Sequence, residues 1–384
     1  MKILSVFGTR PEAIKMAPVV RELRRASADS DVQAPVCVTA QHREMLDQVL
    51  EIFGIEPEYD LRVMEEDQTP ARVAAGVLRG LEAILDRERP DWVLVQGDTT
   101  TVAAAALAAF YAGVRVGHVE AGLRTFDRRR PFPEEINRRV AGVLADLHFA
   151  PTAAARDNLL REGIPTDRVL VTGNPVIDAL QWIVARLPEE GPAADGIDMA
   201  RIAALPPETR LVLVTAHRRE SFGRPLEEVY GALRELAERY GDGIRLVYPA
   251  HLNPNVQEPV HRLLGDVPNI TLAPPLPYLP LVWLMRRAHF ILTDSGGIQE
   301  EAPALGVPVL VLREVTERPE AVEAGAARIV GTHRETILAE ATRLLEDEEA
   351  HAGMAKAVNP FGDGRAGERI VGAVLGEPVE AWAP

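Results

Sequence analysis

Along the chain, short apolar runs alternate with longer stretches in which hydrophobic positions recur at helical spacing. Runs at 3–7, 36–39, 92–96, 115–119, 147–150 and 169–172 predict one series of strands, and runs at 211–215, 245–248, 290–293 and 309–312 predict a second. Strands that are apolar on both faces and separated by helices predict parallel sheets with helices on each side. Two series imply two such sheets, an α/β protein of two domains. The first series ends near Gly173-Asn174-Pro175, so the expected domains are 1–173 and 174–363. The stretch from Leu187 to Pro207, rich in Pro, Gly and Ala, loops out before the second series, and Gly364 to Val374 predicts a last helix, within 364–384, that completes the first domain. There is no internal repeat, heptad or low-complexity tract.

Polar clusters gather at the carboxyl ends of these strands: Gly8-Thr9-Arg10-Pro11-Glu12, Gln41-His42-Arg43, Gln96-Gly97-Asp98-Thr99-Thr100, His118-Val119-Glu120-Ala121-Gly122, Thr215-Ala216-His217-Arg218-Arg219-Glu220, Pro249-Ala250-His251 and Thr293-Asp294-Ser295. Ligands of open α/β sheets bind along that edge. The most informative cluster is Asp294-Ser295-Gly296-Gly297, where an apolar strand runs into a helix pattern that carries Glu300 and Glu301. Glycines admit an anion close to the backbone, and the first turn of a helix offers unpaired N–H groups and partial positive charge. The two carboxylates, one turn on, suit ribose hydroxyls. A strand-to-helix turn with Ser295 as N-cap fits the same residues.

Composition narrows the ligand and the setting. A chain of 384 residues exceeds what one hydrophobic core usually supports, and 47% hydrophobic with 26% charged residues marks a globular protein. A formal charge of −15 excludes a general nucleic-acid binder, so any anion must be captured locally. Lys2, Lys15 and Lys356 are the only lysines, which singles out Lys15 among many arginines. Cys37, the one cysteine, has no partner for an internal disulfide and reads as core. That fits a cytoplasmic setting. Met1 leads directly into a strand, and no apolar run is long enough to span a bilayer, so neither a signal peptide nor a membrane partner is expected.

Each cluster has its own chemistry. Pro11 suits the first turn of a helix, which puts Arg10 at the helix start, where a guanidinium pairs with phosphate, and Lys15 one turn later. Asp98, ahead of three threonines, reads as an N-cap. Glu120 ends an apolar strand, so burial is expected to raise its pKa into the range of a proton-transfer group. Glu134 and Glu135 open a helix, where negative charge is favourable in itself. His217 lies beside two arginines that disfavour its protonation.

From Lys2 to about Gly367 the chain resembles the non-hydrolysing UDP-N-acetylglucosamine 2-epimerases. The resemblance lies in the order and spacing of Gly8-Thr-Arg-Pro-Glu-Ala-Ile-Lys15, Gln41-His-Arg-Glu-Met-Leu46, Gly97-Asp-Thr-Thr-Thr101, His118-Val-Glu-Ala-Gly-Leu-Arg124, Pro133-Glu-Glu-Ile-Asn-Arg138, Gly173-Asn-Pro-Val-Ile-Asp178, Thr215-Ala-His-Arg-Arg-Glu220, His251-Leu-Asn-Pro-Asn255, Leu292-Thr-Asp-Ser-Gly-Gly297 and Thr316-Glu-Arg-Pro-Glu320. It implies two Rossmann-like domains whose parallel sheets face a central cleft, the GT-B-like architecture. It also implies a cytoplasmic homodimer that interconverts UDP-N-acetylglucosamine and UDP-N-acetylmannosamine for surface polysaccharide synthesis. The chemistry it implies is elimination of UDP to a 2-acetamidoglucal and re-addition, with neither nicotinamide nor metal.

Residue by residue, the resemblance puts Asp98, Glu120, Glu134 and His217 at proton-transfer and transition-state positions. Arg10, Lys15, Ser295, Gly296 and Gly297 match UDP phosphate contacts, with His251 near them; Glu301 matches the ribose contact, Arg318 a substrate position, and Leu276 and Leu281 flank the uracil. Leu281 stands where several relatives carry phenylalanine, so no ring stacks on the base there. Many bacterial members bind a second substrate molecule as activator through the segment that matches Gln41, His42 and Arg43 and a region that matches Glu65-Glu66-Asp67-Gln68. Asp67 puts an acid where some relatives have arginine. Two other activities fit the architecture: epimerisation of a UDP-diacetamido-uronate, and glycosyl transfer from a nucleotide sugar. A nucleotide-sugar sensor without catalysis is disfavoured by Glu120 and His217.

Overall fold

Seven strands, β1 (Ile3–Phe7), β2 (Val36–Val38), β3 (Tyr59–Asp60), β4 (Trp92–Gln96), β5 (Arg115–Val119), β6 (Leu147–Ala150) and β7 (Val169–Val171), pair in parallel in the order β3-β2-β1-β4-β5-β6-β7. The structure, a computed structural model, describes residues 1–39, 43–63 and 68–383. Every residue of β1 and β4 is buried, as continuous apolar runs covered on both faces require. A second parallel sheet comprises β8 (Arg210–Thr215), β9 (Ile244–Pro249), β10 (Ile270–Ala273), β11 (Phe290–Thr293), β12 (Val309–Val311) and β13 (Ala327–Ile329), in the order β10-β9-β8-β11-β12-β13. Both sheets reverse strand order once, between β1 and β4 and between β8 and β11, the doubly wound Rossmann-like plan. Ligands bind such sheets outside the carboxyl ends of the strands at that reversal.

The chain forms two compact units, one of Met1–Ala179 with Phe361–Pro384 and the other of Leu180–Pro360. In the first, Leu4, Val6, Leu81, Val95, Val102 and Val116 pack from sheet to helices, and in the second Val212, Tyr230, Leu233, Leu246, Tyr248 and Phe290 do so. Each such side chain contributes about 1.5–3 kcal/mol through burial. Cys37 is fully buried in β2, and burial pushes its thiol up to about 12, with Asp60 adding to the effect.

The helix Ala366–Leu375 packs on the helix Arg10–Asp29. A Cβ on Gly367 would lie 3.2 Å from the Pro18 backbone, so the missing side chain lets the two helices close. The Gly367 N–H donates to Asp178 Oδ1 at 2.8 Å, which ties the start of this helix to the helix Pro175–Val184.

Three strands absent from the apolar-run reading are β3, β10 and β13, and each lies at a sheet edge. These edge strands are covered less completely than the central ones, and none carries an unbroken apolar run as the edge strand β7 does: Thr271 and Leu272 of β10 are half-buried, and Arg328 and Ile329 of β13 are exposed. The stretch 187–207, expected to loop out, contains the short helix Met199–Ala203, started by Asp198, whose carboxylate accepts from the Arg201 N–H at 3.0 Å. Among the described residues no helix is long and apolar enough to cross a membrane.

Candidate active site

In the first unit, β1 feeds directly into the helix Arg10–Asp29, whose start is fixed by a capping box of Thr9 and Glu12. Glu12 accepts from the Gly8 N–H at 2.8 Å, the Thr9 N–H at 2.7 Å and the Thr99 hydroxyl at 2.6 Å. Burial raises its pKa against the lowering effect of these bonds. Glu12 therefore shapes the loop and is spent on it. Gly8 is required by close approach, because a Cβ there would fall 1.9 Å from Thr39 Oγ1, itself bonded to Thr101 Oγ1 at 3.0 Å. Arg10 opens the helix with its side chain half-buried.

One turn further on, Lys15 is ion-paired to Glu120, which directly follows β5. Glu120 is buried and adopts φ +61°, the left-handed region that a non-glycine residue rarely enters. Gln96, at the end of β4, donates to Glu120 Oε2, and Asn174 donates to Oε1 at 3.1 Å. An ammonium and two amides thus hold one carboxylate at the reversal point of the first sheet. Strained backbone maintained by so many partners is a mark of functional sites.

Asp98 does not cap a helix. Thr99 is the N-cap of the helix Thr100–Tyr111, its hydroxyl accepting from the Val102 N–H, because a threonine one residue later already stands at the right phase. Asp98 is instead paired with Arg138 of the helix Glu134–Leu144, and Arg138 also donates to the Leu123 carbonyl at 3.2 Å. Glu134 and Glu135 divide their work. Glu135 is fully buried and accepts from the Thr125 and Phe126 N–H groups at 3.0 and 3.1 Å, whereas Glu134 is half-buried in the first turn. His118, the last but one residue of β5, is buried with Nε2 2.7 Å from the Gly97 carbonyl, and burial pushes it down to about 4.

In the second unit the reversal point is built from β8 and β11, with Thr215 and Thr293 in register and their hydroxyls 2.6 Å apart. Ser295 occupies the N-cap position of the helix Gly296–Ala304, yet its hydroxyl makes no capping bond. Gly296 and Gly297 have no positive φ, and a Cβ on either would meet nothing closer than 3.9 Å. The fold does not require glycine at these positions. Their missing side chains leave room for a ligand against the first-turn N–H groups. Arg318 Nη2 and Arg218 Nη2 come within about 4 Å of the space such a Cβ would fill.

Buried carboxylates orient what surrounds this helix start. Glu300, expected to face a ribose, is buried and holds Arg318 Nε, while Glu301 accepts from the Tyr278 hydroxyl at 2.5 Å. A cavity of about 340 Å³ opens beside them, lined by His217, Arg218, Phe222, His251, Asn253 and Ser295. The His217 and His251 rings lie parallel with centroids 5.6 Å apart. The Asn253 N–H donates to His251 Nδ1 at 3.1 Å, so the neutral ring carries its proton on Nε2 as a donor. Burial, and then the neighbouring His217, lower the His251 pKa.

The structure brings Lys15 and Glu120 together, pairs Asp98 with Arg138, and gathers His217, His251 and Ser295 about one cavity. Leu276 is buried ahead of the helix Tyr278–Arg287, and Leu281 is half-buried on it. Gln41, His42, Glu65, Glu66 and Asp67 lie outside the described residues, and Arg43 opens the helix Arg43–Phe53. Gln96, Arg138, Asn174 and Asp294 carried no assigned role in the sequence reading. Their positions in the motifs were visible, but the partners that give them a function come from distant segments.

Residues 24–375 match the sequence profile of a family described as UDP-N-acetylglucosamine 2-epimerase. The UDP-N-acetylglucosamine 2-epimerase of Escherichia coli strain K12 is 54% identical over 374 residues, which cover 97% of this chain and 98% of that protein. The UDP-GlcNAc 2-epimerase of Neisseria meningitidis, solved bound to UDP-GlcNAc, is 47% identical with a TM-score of 0.88 over 98% of this chain and 100% of that one. S. aureus MnaA, solved with UDP, is 46% identical with a TM-score of 0.87 over 99% of this chain and 99% of that one.

Proposed function

The chain belongs to the UDP-N-acetylglucosamine 2-epimerase family, and from that membership we propose that it inverts C2 of UDP-N-acetylglucosamine, giving UDP-N-acetylmannosamine reversibly, by elimination and re-addition of UDP. The C2 hydrogen is not adjacent to a carbonyl, so no carboxylate removes it unaided. Breaking the C1–O bond first sends its electron pair to the departing diphosphate and leaves oxocarbenium character at C1, which acidifies C2–H. A base then takes that proton, C1=C2 forms, and the 2-acetamidoglucal is reprotonated from the opposite face before UDP adds back. A positioned base accounts for roughly 10²–10⁴-fold. The remainder falls to charge stabilisation at the diphosphate and the developing cation.

The assigned roles follow from this scheme. Asp98, Glu120, Glu134 and His217 move protons or stabilise charge. Arg10, Lys15, His251, Ser295, Gly296, Gly297 and Arg318 serve the phosphates and sugar, Glu301 the ribose, and Leu276 and Leu281 the base. The single observation that carries the reading is Glu120: a buried carboxylate in a left-handed backbone, held by Lys15, Gln96 and Asn174 at a sheet reversal. A cytoplasmic homodimer is part of the proposal. Exposed Phe110, Tyr111 and Val143 on two packed helices of the first unit support self-association.

Incubation of UDP-N-acetylglucosamine alone with the protein in deuterated water, followed by proton NMR, tests the scheme. Deuterium at C2 together with the manno epimer is expected. A requirement for an acceptor sugar, or epimerisation that retains the C2 proton, overturns it.

A further inference from the structure

We propose that Asp294 is a positioning residue for the reaction, fixing both the orientation of the His217 imidazole and the nitrogen that carries its proton. The proposal rests on the reading of His217 as a group that acts on the substrate.

Asp294 follows β11 and is 1% exposed, among the most buried carboxylates of the second unit. Its Oδ2 accepts two main-chain N–H groups, from His217 at 2.6 Å and Arg218 at 2.7 Å. That pins the turn after β8 to the end of β11. Its Oδ1 is buried, forms no hydrogen bond with another group among the described residues, and lies 3.2 Å from His217 Nδ1. A small rotation of the imidazole turns that approach into a hydrogen bond. The peptide before His217 is anchored from the other side, where the buried Tyr248 hydroxyl donates to the Ala216 carbonyl at 2.5 Å with the Tyr230 hydroxyl 3.3 Å behind it. His217 is therefore held at its backbone by three buried side chains, while its ring faces a single vacant acceptor on one side and the cavity shared with Arg218, His251 and Ser295 on the other.

An ionised carboxylate opposite Nδ1 selects the tautomer with the proton on Nδ1 and leaves Nε2 for the cavity. This is the relation in which a third group orients a catalytic base. Burial works against ionisation of Asp294, but the approach of the His217 ring and the bonds from the Arg218 and His217 N–H groups outweigh it, and the net shift is downward. The other charged or titratable groups about the ring are Arg218 and His251, with Tyr230 and Tyr248 behind Ala216.

Nitrogen-15 NMR of histidine-labelled wild-type protein reads the tautomer directly. A neutral His217 protonated on Nδ1 is expected, and one protonated on Nε2 overturns the proposal without any variant. The second measurement is a double-mutant cycle. Asp294→Asn keeps an oxygen for the two main-chain donors but offers an N–H to Nδ1, so it should flip the tautomer and lower kcat by roughly 10²–10⁴-fold, with KM within threefold. In a His217→Ala background the same change should lower kcat less than threefold. Equal losses in both backgrounds would show a structural role only and overturn the proposal. If His217→Ala alone retains full activity, the reading of His217 itself fails, which separates the two outcomes.

Discussion

Lys15 and Glu120, 105 residues apart in the chain, form an ion pair at the carboxyl edge of the first sheet. Both side chains are largely buried, so little water is at hand to replace a lost partner. Lys15 was expected to meet a phosphate; the structure adds that it is paired with Glu120, one of the residues proposed for proton transfer or charge stabilisation. Under the proposed scheme, one cation would serve both the departing diphosphate and a carboxylate of the reacting site.

Removing one partner of such a pair strands the other. Lys15→Met is expected to lower stability by about 3–5 kcal/mol, seen as a fall in the urea midpoint. Glu120→Gln retains shape but only one of the two amide contacts and removes the partner of Lys15, so some stability is lost as well, and kcat should fall roughly 10²–10⁴-fold. A Glu120→Gln enzyme within threefold of wild type would remove Glu120 from the proton-transfer step.

Asp178 gives the protein an unusual pH response. Burial raises its carboxyl from 3.8 to about 7, against the lowering effect of the main-chain bonds from Gly367, Ala366 and Asp178 itself. A carboxyl whose folded pKa is raised contributes stability that is complete below the unfolded value and is lost as the pH climbs to the folded one. Wild type should therefore lose ground against Asp178→Asn between pH 4 and pH 7, by at most roughly 4 kcal/mol. His118, His148 and His289, each pushed down to about 4 mainly by burial, act in the opposite sense, losing stability as the pH falls from 6.5. Denaturant midpoints of both proteins measured across this range cancel the histidine contribution. A constant difference would refute the assignment.

Two glycine-to-alanine changes should separate fold from ligand. Gly8→Ala drives a methyl into Thr39 and is expected to destabilise by about 1–3 kcal/mol. Gly297→Ala meets no protein atom within 3.9 Å and favours the helix, so the melting temperature should hold or rise. Calorimetric titration with UDP should nevertheless show at least tenfold weaker binding. Unchanged affinity would mean that the phosphate does not approach that first turn.

Much of this was legible from the chain. Central strands announce themselves because both faces are buried, as in Ile3-Leu4-Ser5-Val6-Phe7, and the polar residues that follow them fall at the edge where ligands bind. Of the edge strands, β7 was read from its apolar run, but β3, β10 and β13 were not, since half-covered or exposed positions such as Thr271 and Arg328 break the run. Partner choice was also hidden. Asp98 looked like a cap until Arg138 claimed it, and Glu300 looked like a ribose ligand until Arg318 did, because a side chain's nearest donor comes from a segment that local spacing does not specify.

Val143 is 82% exposed and Tyr111 73%, on helices packed together in the first unit. Tyr111→Asp with Val143→Asp should convert a dimer into a monomer, with the folded state intact, as measured by light scattering. A wild-type protein that is already monomeric at micromolar concentration would remove this surface from the dimer proposal.

The first unit is assembled from both ends of the chain, with Asn174 N–H bonded to the Phe361 carbonyl at 2.6 Å where the polypeptide leaves and returns. During synthesis, the ribosome delivers every residue of the Leu180–Pro360 unit before the helix Ala366–Leu375 emerges. The nascent amino-terminal half must wait with the face of its helix Arg10–Asp29 that packs on Ala366–Leu375 uncovered, so chaperone capture should persist on that half until the latter emerges.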